Sequence, residues 1–190
     1  ALWAQLMRAL PTSRMLLGAM QEDRQHAQIT EWFAAEGIAA DRLTFHLRSD
    51  VVRYLALHRE VDLCLDTFPY SGGTTTAHAL WMGVPTLTVA GHTPPGRHGA
   101  TILGHAGLRD IVAVDAADYL QKGLALAADL GALAQLRAQL RERCKAAAFS
   151  QPDAIAAALV RALRVMWQRW FAGLPPEAFA VTGDDAARRS

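Results

Sequence analysis

Apolar residues recur along the first two thirds of the chain with two alternating periods. Leu2, Trp3, Leu6, Met7 and Leu10 fall at helical spacing, and Pro11-Thr12-Ser13 breaks the pattern. Met15 to Met20 is a short continuous apolar run, which suits a strand buried on both faces. A second helical stripe, Ile29, Trp32 and Phe33 within Gln28 to Glu36, ends at Gly37. The run Arg42 to Leu47 reads as the next strand, and Asp50 is placed to cap a helix through Val51, Tyr54, Leu55 and Leu57. Val61 to Asp66 predicts a third strand and Thr74 to Met82 a helix. Val84 to Val89 predicts a fourth strand, with Pro85 at its start, where a missing N–H is tolerated. A loop from Gly91 to Pro95 precedes a helix through Ala100, Ile102 and Leu103, and Ile111-Val112-Ala113 is a fifth strand.

Strands alternating with helices over short connections predict an α/β fold, a Rossmann-like parallel sheet with helices on both faces. After residue 114 the strand signals stop. Ala116 to Ala127, Leu130 to Ala148 and Asp153 to Phe171 read as helices. The last carries Ile155, Leu159, Leu163, Met166, Trp167 and Trp170 on one stripe, as a helix closing a domain does. Residues 1–114 are therefore expected to form the sheet domain, 115–181 C-terminal helices that close it, and 182–190, polar and small, a frayed tail.

Composition narrows the classes. The 190 residues are 52% hydrophobic and 19% charged, which supplies a sizeable core and excludes a disordered chain. A net charge of +1 gives no electrostatic reason to expect nucleic acid or membrane partners. Two cysteines, Cys64 and Cys144, exclude a disulfide framework and a cysteine-based zinc cluster. No apolar run is long enough to span a bilayer. No secretory signal pattern is visible, so a cytoplasmic setting is expected. The length suits one large domain or half of a two-domain enzyme. The start at Ala1, directly in a helix, points to the second.

The stretch with chemical content is VDLCLDTFPYSGGTTTAHALWMGVPTLTV, from Val61 to Val89. A strand ends, a glycine-rich turn follows, and a helix begins at three threonines. A helix N-terminus offers unpaired N–H groups and partial positive charge, and glycines let an anion approach the backbone. Gly72, Gly73, Thr74, Thr75 and Thr76 are therefore a candidate phosphate cradle, at the carboxyl end of a parallel strand where open α/β sheets bind ligands. The turn matches neither a P-loop nor a dinucleotide fingerprint, and an ordinary capped helix start is the competing reading. Asp66 is placed to orient the threonine turn as structural support. Arg97 is a candidate phosphate neighbour or a cap for the helix after it. His92 and His98 flank a loop stiffened by Pro94 and Pro95, a candidate border of the ligand cleft with an ordinary surface loop as the competing reading, and the seven histidines show no metal-binding spacing.

From Asp62 through Pro85, D-x-x-L-D-T-F-P-Y-x-G-G-T-T-T-x-x-x-L-W-x-G-V-P resembles the C-terminal catalytic half of the O-linked N-acetylglucosamine transferase family. Trp3 to Leu17, Gly91 to Ala113 with its arginine at Arg97, and Phe149 to Gly173 with Met166-Trp167 and Ala172-Gly173 are similar to it as well. The resemblance thus covers nearly the whole chain. It implies the C-terminal half of a GT-B glycosyltransferase, often found behind tetratricopeptide repeats, in a bacterial type of homologue. It also implies the donor-nucleotide-binding part of an inverting enzyme that moves N-acetylglucosamine from UDP-GlcNAc to Ser or Thr of proteins. By resemblance, Gly72, Gly73, Thr74 and Thr75 contact the diphosphate, and Thr74 and Thr75 stabilise the leaving group. Ser49 and Val51, in the segment Leu47 to Val51, meet the uracil. Tyr54 stands where some members place a nucleotide-contacting histidine. His78 replaces an aspartate that holds the ribose, and a neutral imidazole accepts only one hydrogen bond. Gly73 replaces the histidine of animal members.

The resemblance further implies that a strand and a phosphate-pairing lysine precede Trp3. It implies too that the N-terminal half of the enzyme, with the proton-transfer groups, is a separate part. The base is then not among these residues, and the donor domain lacks its first strand. A site without metal or cofactor is expected, since preorganised N–H groups stabilise a leaving diphosphate without one. Two alternatives stay open: transfer of glucose or another sugar from its nucleotide, and a non-catalytic nucleotide-sensing or interaction module.

Overall fold

A computed structural model of the protein describes residues 1–20 and 23–181; the expected tail from Thr182 lies outside the described residues. The described chain runs α1 (Leu2–Ala9), β1 (Met15–Met20), α2 (Asp23–Ala35), β2 (Leu43–Leu47), α3 (Val51–Leu57), β3 (Cys64–Leu65), α4 (Thr74–Trp81), β4 (Thr86–Val89), α5 (His98–His105), β5 (Val112–Ala113), α6 (Ala116–Ala128), α7 (Leu130–Ala146) and α8 (Pro152–Phe171). Short 3₁₀ turns fill several of the connections. Every strand pairing is parallel. The strands form two ladders, β1-β2 and β3-β4-β5. Among the described residues no helix is long and apolar enough to cross a membrane.

The differences from the sequence reading are at element ends. α2 begins at Asp23, before its apolar stripe, and α5 begins at His98. α7 ends at Ala146 and α8 starts at Pro152, where proline suits a first helical turn. The third strand is two residues long instead of six, because β3 hydrogen-bonds only to β4, through Cys64 N to the Pro85 carbonyl and Asp66 N to the Leu87 carbonyl. β1 carries an irregularity between Leu17 and Met20, with Ala19 in the left-handed region at φ 59°.

The described residues divide into two compact units, 1–144 and 145–181. In the first, alternation along β4 assigns the layers. Leu87 is fully buried on one face with Leu6 of α1 and Tyr119 of α6, and Gly123 of α6 comes close enough that a Cβ there would sit 3.2 Å from the Leu87 side chain. The next residue, Thr88, points the opposite way, toward Gly99 of α5. Helices therefore cover both faces of the β3-β4-β5 ladder. A second cluster joins Ala4 and Met7 of α1 to Met15, Phe33, Ile38 and Leu43 beside the β1-β2 ladder. One helix, α1, thus serves both ladders, with Trp3 and Leu65 bordering both clusters.

Arg42 fixes the end of that helix. Its Nη2 donates to the carbonyls of Met7 and Leu10 at 2.9 Å, and its Nε donates to the Ser13 carbonyl. Both helix-end carbonyls also accept backbone N–H groups, and a cation at a helix C-terminus interacts favourably with its dipole. Arg8 of α1 pairs with Glu36 at 2.7 Å and holds that carboxyl below the usual range. In the second unit, α8 buries none of its residues; Trp167 and Trp170 lie with ring centroids 5.1 Å apart, and Arg169 pairs with Glu177.

Candidate functional site

The loop from β3 to α4 is organised by one carboxylate. Asp66 follows β3 directly and is 6% exposed. Its Oδ1 accepts from the Thr67 N–H at 2.9 Å and from the Gly72 N–H at 2.6 Å, closing the loop. Its Oδ2 accepts from the Thr88 hydroxyl at 2.7 Å, tying the loop to β4. The space around it admits only glycine at two places. A Cβ on Gly72 would lie 2.6 Å from Thr75 Oγ1 and 2.7 Å from Thr76 Oγ1, and a Cβ on Gly99 would collide with Asp66 Oδ2. The Phe68–Pro69 peptide in this loop is cis.

Backbone donors around the loop are assigned unequally. Ser71 is 1% exposed; its hydroxyl donates to the Pro95 carbonyl at 2.9 Å and accepts from the Gly99 N–H at 3.1 Å, which satisfies the start of α5. The start of α4 has no such partner. Its N-cap is Gly73, with no side-chain cap, so the first-turn N–H groups of Thr74, Thr75 and Thr76 stay open. The Thr76 hydroxyl is used internally, on the Gly72 carbonyl at 3.0 Å. Thr74 and Thr75 are exposed at the mouth of the turn. The turn thus places two exposed hydroxyls beside a helix N-terminus, where partial positive charge gathers.

The predicted nucleoside residues meet one helical turn further along. His78 stands four residues after Thr74, so the two share a face of α4. Tyr54 of α3 packs against His78, with centroids 5.7 Å apart and rings at 60°. Asp50 caps α3 by accepting from the Arg53 N–H at 2.9 Å, and that hydrogen bond holds its carboxyl below the usual range. The cap presents Val51, 59% exposed, three residues before Tyr54. Ser49 lies exposed between β2 and α3, with its hydroxyl on the Asp50 carbonyl at 3.3 Å. Arg97 precedes α5, and its guanidinium donates to the Gly91 carbonyl at 3.0 Å, holding the proline loop shut instead of capping the helix.

Of two further histidines in this region, His58 gave no sequence signal. His58 is buried behind Tyr54, edge-on at 5.1 Å, with Nδ1 donating to the Leu55 carbonyl at 3.3 Å. Burial pushes its pKa down, the hydrogen bonds to Leu55 and Tyr54 carbonyls push it back, and nearby His78 lowers it again. Its position at a helix end reads in sequence as an exposed histidine. His98, read in the sequence as a flank of a proline loop at the candidate border of the donor cleft, stands beside Gly73, 25 residues upstream. Burial also pushes the Cys64 thiol up to about 11, which keeps it a protonated core residue.

A sequence profile of glycosyl transferase family 41 matches residues 1–156. The chain belongs to glycosyl transferase family 41. It is 34% identical over 180 residues to the barley (Hordeum vulgare) protein named probable UDP-N-acetylglucosamine–peptide N-acetylglucosaminyltransferase SPINDLY, covering 92% of this chain and 19% of that protein. It is 23% identical over 175 residues to the Caenorhabditis elegans UDP-N-acetylglucosamine–peptide N-acetylglucosaminyltransferase, covering 92% and 15%. A lysine-to-methionine mutant of the Thermobaculum terrenum O-GlcNAc transferase superposes with a TM-score of 0.80 at 36% identity, covering 87% of this chain and 32% of that one. The chain therefore spans about a fifth of the length of the curated relatives it matches. The family 41 assignment agrees with the resemblance carried by the threonine turn, and the structural likeness agrees with the α/β reading of the fold.

Two outcomes follow from this geometry. Asp66→Ala removes the acceptor for three donors, and hydrogen bonds to a charged group contribute about 1.5–3 kcal/mol each. A loss of about 3 kcal/mol or more in urea unfolding is expected, and an unchanged midpoint would show that Asp66 does not hold the loop. For His58, the depressed native pKa means that the unfolded chain binds the proton first as pH falls. Stability is then full above about pH 6.5 and is lost as the pH drops from there through the lower native value. Urea midpoints at pH 7.5 and 5.5 should differ less for His58→Gln than for the parent protein, and equal differences would refute the assignment.

Proposed function

We propose that this chain is the donor-nucleotide-binding part of an inverting glycosyltransferase that moves N-acetylglucosamine from UDP-GlcNAc to Ser or Thr hydroxyls of proteins. The observation that carries the reading is the open start of α4, in a chain that belongs to family 41. Departure of UDP places growing negative charge on the β-phosphate. Fixed N–H groups and hydroxyls aimed at that charge need no reorganisation as the bond breaks. Thr74 and Thr75 take this role, with Gly72 and Gly73 keeping the approach clear. His78 and Tyr54 form the ledge for ribose and base, with Val51 and Ser49 at its rim, and Arg97 borders the phosphates from the α5 side. No group here is placed as the base, which belongs to the other half of the enzyme. The names of the barley and worm relatives support the sugar and the acceptor class.

Isothermal titration of UDP into the full-length protein tests this directly. The double substitution Thr74→Ala, Thr75→Ala removes two hydroxyl donors to a charged ligand. A loss of tenfold or more is expected, since about 1.4 kcal/mol corresponds to a factor of ten. Unchanged affinity would sink the donor-site reading.

We also propose that residues 1–114 are a donor domain whose two ladders are parts of one sheet, joined by an extended segment from elsewhere in the protein that lies between β1 and β3. Support comes from β3. Cys64 and Asp66 turn their N–H groups to β4, so Leu65 between them turns its N–H and carbonyl to the free edge. In the full-length protein the Leu65 amide should exchange with deuterium as slowly as that of Leu87; fast exchange would show an open edge. The free thiols of Cys64 and Cys144 support a reducing, cytoplasmic setting.

A further inference from the structure

His98 is the first residue of α5, 25 positions away from the turn it faces. Gly73 has no side chain, and the atoms nearest to where its Cβ would stand are His98 Nδ1 at 3.8 Å and His98 Cβ at 3.9 Å. The imidazole thus lies beside the N-cap of α4, at the outer end of the cradle. Tyr70 flanks it edge-on, with centroids 6.4 Å apart and rings at 88°. The ring is exposed, and neither nitrogen has a hydrogen-bond partner among the described residues.

Its backbone, by contrast, is fixed. The next residue, Gly99, gives its N–H to Ser71 Oγ and packs so closely on Asp66 that a Cβ would not fit. The clamp that shapes the α4 start therefore also places His98. His78 lies one turn inside α4, Thr74 and Thr75 in its first turn, and His98 beside the N-cap residue Gly73. A nucleoside diphosphate lying along this line has its nucleoside at His78, its first phosphate at the threonines and its second phosphate at His98.

We infer that His98 is a further donor-site residue, which donates one imidazole N–H to the β-phosphate of the leaving nucleoside diphosphate. The inference rests on the donor-site reading above. It adds a residue and assigns it to one phosphate. The interaction needs only a neutral imidazole with one N–H outward, so no proton is transferred. It is a binding contact that strengthens as charge collects on the departing phosphate.

UDP and UMP differ by that phosphate alone, and titrating both into the full-length protein separates the outcomes. His98→Ala should weaken UDP about tenfold and leave UMP unchanged, while His98→Gln, which keeps an N–H donor, should recover part of the loss. Equal weakening of UDP and UMP, or no change in either, would overturn the assignment. The Thr74→Ala, Thr75→Ala protein in the same titration keeps the two readings apart. If it loses UDP affinity and His98→Ala does not, only the role of His98 falls; if neither loses affinity, the donor site itself is misplaced.

Discussion

The hydrogen bonds of Asp66 are the constraint on which the rest of the site depends. One buried carboxylate joins the end of β3, the glycine turn before α4 and the middle of β4. A buried charge is tolerated only when its acceptor capacity is filled, and here three donors fill it. The same demand dictates small neighbours. Gly72 and Gly99 are glycines because the carboxylate and the threonine hydroxyls occupy the volume a Cβ would take. Thr88 is polar on a buried strand because its hydroxyl completes the set. Sequence, loop shape and the approach of α5 thus follow from one group.

A second consequence concerns which backbone donors remain for a ligand. Asp66 takes the Gly72 N–H and Ser71 takes that of Gly99, so the donors of the loop and of α5 are spent on the fold. The first turn of α4 is left uncapped. Glycine at an N-cap costs roughly a few tenths of a kcal/mol relative to a capping side chain, so the open start is tolerated at little cost. What sets this start apart is its setting: Thr74 and Thr75 are exposed directly after a glycine turn that the Asp66 carboxylate closes.

Much of this was legible in the sequence where local chemistry decides. The two periods of apolar residues located every strand and helix, and Asp50 marked its helix start correctly. The three threonines after two glycines identified the turn, and Asp66 read as its support. What was not legible depends on partners distant in the chain. The run Val61 to Asp66 has the composition of a six-residue strand, yet only Cys64 and Leu65 are laddered, because strand length is set by the neighbour and not by the run. His58 and His98 are one residue type with opposite fates. Burial behind Tyr54 takes the first, the glycine elbow of another helix exposes the second, and no spacing rule separates them. The stripe of α8 was equally clear, but a stripe does not say what covers it, and none of that helix is buried.

The charge balance of the cradle explains why rigidity matters more here than net charge. The cation nearest in sequence to the start of α5, Arg97, gives a guanidinium hydrogen to the Gly91 carbonyl and holds a loop. The negative charge beside the turn is on Asp66, and its oxygens are occupied by the Thr67 and Gly72 N–H groups and the Thr88 hydroxyl. In the proposed donor site an anion at α4 meets N–H groups, hydroxyls and the His98 imidazole, with the Arg97 guanidinium at the border. Dipolar attraction falls off within the first helical turn, so the donors act only if they are already in place. The Asp66 clamp puts them there: it sets the angle of Gly72, hence of Gly73 and Thr74, and through Gly99 it sets the position of His98.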